Sequence, residues 1–136
     1  MPNYTFTKQE RLCSRSLIES LFHSGHRLMV FPYSVSWMLV SQDKNTNVPA
    51  QVLITTSKKK FHHAVDRNRV KRLTRECYRL RKHGLYDFLE EHHLQIVFSL
   101  NYIHTEIMDF STLSAKFDKL LPQLESAIQK TVNETK

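Results

Sequence analysis

Glycine and proline are scarce, at 2 and 4 residues in a chain of 136, which excludes collagen-like repeats and flexible Gly- or Pro-rich linkers. Cysteine is equally sparse. Cys13 and Cys77 stand 64 positions apart, a separation that suits no metal-ligand motif, so both read as free thiols of a reducing compartment and no disulfide is expected. Long apolar runs are missing as well. The stretch from Leu28 to Val40 is interrupted by Pro32, Ser34 and Ser36 and is shorter than the roughly 20 residues a membrane-spanning helix needs. The opening Met1-Pro-Asn-Tyr-Thr-Phe6 has neither the basic start nor the apolar core of a secretion signal. A cytoplasmic protein with no membrane partner is therefore expected. With 40% hydrophobic and 24% charged residues, no repeat and no low-complexity segment, residues 1–136 should form one compact domain.

Acidic residues are the minority: 13 against 20 Lys and Arg, for a net charge of +7. Between Lys58 and Lys82 lie eleven basic residues opposed only by Asp66 and Glu76, a local charge of +9 that leaves −2 for the remainder. One basic segment in a slightly acidic chain is the footprint of a polyanion contact, whereas a merely solvated helix face pairs its cations with Glu at i, i+4. Those partners are mostly missing here. Val70, Leu73, Cys77 and Leu80 recur at spacings of three and four and predict a helix with one buried stripe. Arg67, Lys71 and Arg75 would form one row beside it, with Asn68, Arg72, Arg75, Arg79 and Lys82 in the next. Asp66 is placed to cap this helix and Gly84 to end it.

Elsewhere, Ser16-Leu-Ile-Glu19 has a capping-box pattern and predicts a short amphipathic helix that stops at Gly25. Val35, Trp37 and Leu39 alternate with polar neighbours, and Val48 to Thr56 follows the polar turn Gln42 to Asn47, so two antiparallel strands are expected. Leu94 to Leu100 reads as a buried strand reached by a parallel crossover. Leu113, Phe117, Leu120, Leu124 and Ile128 share the face of a last helix, which Pro122 should kink or restart. The adjacent pairs His62-His63 and His92-His93 do not share a helix face, and no Cys or carboxylate stands at ligand spacing, so no protein-held metal is expected. Asp87, Glu90 and Glu91 read as surface.

The residues Arg67-Asn-Arg69-x-Lys71-Arg72-Leu73-x-Arg75-Glu76 resemble the R-N-R-x-K-R-x-x-R-E signature of the bacterial ribonuclease P protein subunit. Phe6-x-Lys8-x-x-Arg11-Leu12 is similar to that family's opening motif and stands at the right distance before the first helix. The likeness extends over roughly residues 5 to 125. It implies an α+β two-layer sandwich of order α-β-β-β-α-β-α with a central mixed sheet, like domain 2 of ribosomal protein S5. It also implies a left-handed β-α-β crossover, where sequence physics alone favours a right-handed one.

The function implied is that of the protein subunit of a ribonucleoprotein endonuclease, a hydrolase that removes the 5′ leader from precursor tRNA. The active site and its Mg²⁺ would belong to the catalytic RNA, with no catalytic residue in the protein. Contact with that RNA is implied for Lys58, Lys59, Arg67, Asn68, Arg69, Lys71, Arg72, Arg75 and Arg79, because guanidinium groups bind phosphate oxygens in bidentate fashion. A cleft between the first helix and the sheet would hold the leader, with Ile18, Phe22, Tyr33 and Ser36 as its candidates and Trp37 as a substitute for a missing aromatic. Two other readings stand beside this one. A non-catalytic RNA-binding protein of ribosomal type would share the basic helix but not the ordered pair of motifs, and a DNA-binding regulator lacks the preceding helix and short turn.

Overall fold

A computed structural model of the chain describes residues 6–41, 48–57 and 59–134. After a single 3-10 turn at Lys8–Glu10 come α1 (Arg15–Ser24), β1 (His26–Val30), β2 (Tyr33–Val40), β3 (Ala50–Thr56), α2 (Ala64–Glu91), β4 (Gln95–Tyr102) and α3 (Phe110–Glu134). This is the expected α-β-β-β-α-β-α order. The element that residue patterning did not single out is β1, a five-residue edge strand that exposes Arg27 and Met29 between half-buried Leu28 and buried Val30.

The sheet order is β1-β2-β4-β3, with β4 antiparallel to β2 and parallel to β3. The expected antiparallel pair β2 and β3 thus runs in opposite directions but shares no ladder, because β4 enters between them. The reason lies in β4 itself. Residues Gln95 to Leu100 are all buried, and a strand apolar on both faces belongs at the centre of a sheet. Alternation along β4 then splits the core. Ile96, Phe98, Leu100 and Tyr102 face α2 and α3, whereas Val97 on the opposite face packs with Leu12 and Leu21 under α1.

Helix α1 begins two residues earlier than its S-x-x-E pattern suggests: the Ser14 hydroxyl, not that of Ser16, accepts the Leu17 N–H at 3.4 Å. Gly25 ends it for lack of space, since a Cβ there would stand 2.3 Å from the Leu21 carbonyl oxygen. Helix α2 differs more. His63 occupies its N-cap and Asp66 lies within the first turn without capping it. Gly84 does not stop it, because a Cβ there would meet nothing within 4 Å and the packing on both sides carries the helix on to Glu91. It ends where His93 turns to φ 56° and the Leu94 N–H reaches the Leu89 carbonyl at 2.8 Å. The buried stripe is also rotated from the expected one. Leu80 is 41% exposed, and Thr74, Tyr78, Leu85 and Leu89 are buried instead. Two of these carry hydroxyls, paired as Thr74 with Tyr33 and Tyr78 with Tyr86, so their burial was invisible to an apolar count. Helix α3 runs through Pro122 without a break, with Leu120, Leu121 and Leu124 buried around the proline.

Candidate nucleic-acid interface

The C-terminal ends of β3 and β4 and the first turn of α2 meet at one end of the sheet, and the loop residues 59–63 lie there. Arg67 shapes that loop. Its Nη1 donates to the carbonyls of Phe61 at 2.8 Å and His62 at 3.0 Å, while the Lys60 ammonium donates to the Ile103 carbonyl. Phe61 is buried beside Tyr102, with ring centroids 6.0 Å apart. Arg67 therefore has a bracing role that its place in a charge run gave no sign of.

Past this brace, α2 exposes Asn68, Arg69 and Arg72, and leaves Lys71, Arg75 and Arg79 half-buried. Arg69, Lys71 and Arg72 form no ion pair among the described residues. Arg79 holds Glu76 at 2.7 Å, and the Nε of Arg75 is buried without a hydrogen-bond partner among the described residues. Lys59 is exposed at the adjoining loop, and Lys58 lies outside the described residues. Two cations of the segment are drawn off by distant acids. Arg81 bonds Asp118 of α3 at 2.8 Å, and Lys82, expected in the second basic row, is 2% exposed and bonds Glu10 at 2.5 Å. The row of cations without an acidic partner among the described residues thus ends before Arg79.

Glu10 lies among the unspecified positions of the opening motif and was not singled out by sequence, since its partners stand more than 70 residues away. Its carboxylate also accepts the Tyr86 hydroxyl at 2.6 Å and the Thr7 N–H at 3.0 Å. Burial opposes its ionisation, but the hydrogen bonds from Lys82, Tyr86 and Thr7 and the charge of Lys82 outweigh burial and hold the carboxyl below its usual range. Burial first, then the neighbouring Tyr78 and Glu10, push the Tyr86 hydroxyl far upward, so it stays a donor. The motif residues surround this clasp. Phe6 packs edge-on against Tyr78 at 5.9 Å, the Arg11 guanidinium lies 5.9 Å above the Phe6 ring, and the Leu12 N–H donates to Val52 of β3 at 2.9 Å. Lys8 is exposed on the 3-10 turn. Phe6 thus docks the N-terminal segment onto α2, and Arg11 joins it to β3 through its bridge to Val52.

The proposed leader-cleft residues separate. Phe22 is 42% exposed and Ile18 half-buried on α1, and Ser36 lies on the sheet face that α1 partly covers. Tyr33 is a correction. It points to the opposite face, fully buried, with its hydroxyl 2.6 Å from Thr74 Oγ1 and its ring edge-on to Tyr102 and Phe117. Trp37 shares that inward face, at 1% exposure, so neither ring can stack on a ligand in the cleft. Strand alternation decides this: with Ser34 and Ser36 facing α1, Tyr33, Val35 and Trp37 must face the core. The strip beside α1 is polar, since Ser36 pairs with Ser99, Ser34 with Asn101, and Asn101 Oδ1 accepts the Thr55 hydroxyl at 3.0 Å. The Ser99 hydroxyl is buried with no partner among the described residues.

Among the described residues, no three His, Cys, Asp or Glu side chains gather as metal ligands. Cys13 is exposed, and Cys77 is buried, with its thiol pushed up by burial. No helix among the described residues is long and apolar enough to cross a membrane.

A cationic helix face left open at one end of a small mixed sheet defines a polyanion-docking protein. Comparison with known proteins makes this specific. The Ribonuclease P family model matches residues 6–125. The ribonuclease P protein component of Porphyromonas gingivalis is 37% identical over 120 residues, covering 88% of this chain and 86% of that one. That of Chlorobium phaeobacteroides is 40% identical over 85 residues, covering 62% and 58%. Among solved structures, the RNase P protein from Thermotoga maritima superposes with a TM-score of 0.64 at 22% identity, covering 84% of this chain and 96% of that one, a likeness of fold. The chain belongs to the ribonuclease P protein family. It is accordingly an RNA-binding subunit of ribonuclease P, acting in 5′ processing of tRNA.

Proposed function

We propose that α2 docks this subunit on the catalytic RNA of ribonuclease P and that the strip beside α1 receives the 5′ leader of precursor tRNA, while hydrolysis takes place on the RNA. What supports the docking face is the cationic surface of Arg69, Lys71 and Arg72, which have no acidic partner among the described residues, with the exposed Asn68 amide beside them; it can follow a phosphate backbone without reading sequence. What supports the leader site is the exposed Phe22 ring on α1 together with half-buried Ser34 and Asn101 on the sheet face that α1 partly covers, where Ser36 is itself buried; an aromatic beside a polar strip suits single-stranded RNA of any sequence. In this reading Mg²⁺ is bound at the active site of the RNA. The free thiols Cys13 and Cys77 suit a cytoplasmic setting.

The test is cleavage of a 5′-leader precursor tRNA by the ribonuclease P RNA of the same organism at low Mg²⁺, with and without this protein, beside a protein-only control. Stimulation that requires the RNA is expected. A folded, RNA-binding protein that gives no stimulation would instead fit an RNA-binding protein of ribosomal type, and protein-only cleavage would move the active site.

A further inference from the structure

The sheet end that carries the basic helix also carries an aromatic surface that docking through α2 leaves unused. Three segments meet there: the β1–β2 turn at Phe31-Pro32, the residues Ile103 and His104 just after β4, and the loop before α2. They are tied together rigidly, since the Ile103 N–H donates to the Pro32 carbonyl at 2.9 Å and Lys60 donates to the Ile103 carbonyl. Phe31 stands edge-on to His104, with ring centroids 5.0 Å apart and planes at 62°. Behind them, His104 lies 6.5 Å from Tyr102, which in turn neighbours Phe61. Buried rings therefore back an exposed one: Phe31 is 47% exposed, whereas Phe61 and Tyr102 are at 6% and 1%.

A single exposed apolar side chain is ordinary. What sets Phe31 apart is its mounting. The ring is held by a backbone clasp, shares that clasp with an ammonium group, and lies on the same sheet end as Lys59 and Arg67. A flat apolar face with cations at the same end of the sheet is complementary to a nucleobase and its phosphate. Asp109 of the following loop is committed to α3, where its carboxylate accepts the Thr112 N–H at 2.8 Å. Glu106, exposed two residues beyond His104, disfavours a phosphate on that flank and leaves the Lys60 side open.

We propose that Phe31 and His104 form a stacking platform for an unpaired base of the bound RNA, with Lys59 and Lys60 beside its phosphate. The inference rests on the docking role of α2 and adds a contact that no α2 residue supplies. It is tested by measuring binding of the full-length protein and its variants to the ribonuclease P RNA of the same organism at moderate salt, with Arg72→Ala as the reference for docking. Phe31→Ala and Phe31→Leu should each weaken binding about tenfold, the order expected for loss of one base–aromatic stack, with unchanged thermal unfolding. Phe31→Trp should keep wild-type affinity, and its emission should be quenched on RNA addition beyond any change of the buried Trp37. Wild-type affinity in both Phe31→Ala and Phe31→Leu, with Arg72→Ala weakened, overturns the platform and leaves docking intact. Loss in Phe31→Ala but not Phe31→Leu overturns stacking in favour of a plain apolar contact. No effect of either Arg72→Ala or Phe31→Ala overturns the docking role and the platform together.

Discussion

Between Asn68 and Arg72, α2 turns Arg69 and Arg72 to solvent with no acidic partner among the described residues, whereas ten residues beyond Arg72, Lys82 is 2% exposed and bound to Glu10 and Arg81 is bound to Asp118. Both stretches look alike in a charge count. They differ because an acid from the N-terminal segment and another from α3 reach the second stretch and none reaches the first. The first half is consequently left for a ligand, and the second half fastens the N-terminal segment and α3 to the sheet. Density of Lys and Arg along a chain therefore overstates the face that can meet a polyanion, and the excess is decided by where distant carboxylates fold.

The largest effect that could break this contrast is on the clasp. Lys82→Ala leaves Glu10 buried and uncompensated and should cost about 3–5 kcal/mol of stability, measured by urea unfolding. Replacing both partners with Met should recover most of that loss. The clasp also sets a pH dependence. Because the folded carboxyl of Glu10 titrates below its ordinary value of 4.5, its stabilisation is complete above that value and is lost as pH falls through the lower, folded one. Glu10→Gln should flatten the acid limb of stability against pH, and an unchanged limb would remove Glu10 from this role.

On the open half the expected effect moves from stability to binding. Arg72→Ala should weaken RNA affinity by about 1–2 kcal/mol, close to tenfold, and lower the salt slope by about 0.7–0.9. Its urea midpoint should stay at the wild-type value, since no described residue pairs with Arg72. Gly84→Ala asks whether the two halves are one helix. With open space around the Cβ position, it should add about 0.5–1 kcal/mol to stability if α2 is continuous there. Arg81→Ala sharpens the contrast from the other side. Its bridge to Asp118 is partly solvated, so its loss should cost under about 1 kcal/mol, several times less than the loss of its neighbour Lys82.

Much of the candidate site could be read along the chain. The local excess of charge, the helical spacing of Val70 and Cys77, and the two ordered motifs are all properties of neighbouring residues. The strands β2, β3 and β4 were legible for the same reason, through alternation or a short apolar run. What escaped was side-chain direction where a polar or aromatic type gave the wrong hint. Tyr33 and Trp37 suit a stacking cleft by chemistry, yet the inward register of β2 buries both. Thr74 and Tyr78 read as polar and are core. Gly84 reads as a stop signal, but tertiary packing on either side outweighs a helix-propensity penalty of about 1 kcal/mol.

Residue type and near spacing determined the family and the segment that carries the charge; the order of elements followed from the family, since patterning alone passed over β1. Tertiary structure alone decided that β4 divides β2 from β3, that Arg67 braces a loop, that Lys82 is buried on Glu10, and that Phe31 and His104 come together. Each of these joins residues through space. Periodicity reports which face of an element is apolar, but the partner of a buried charge is set by burial and electrostatics acting across the whole fold.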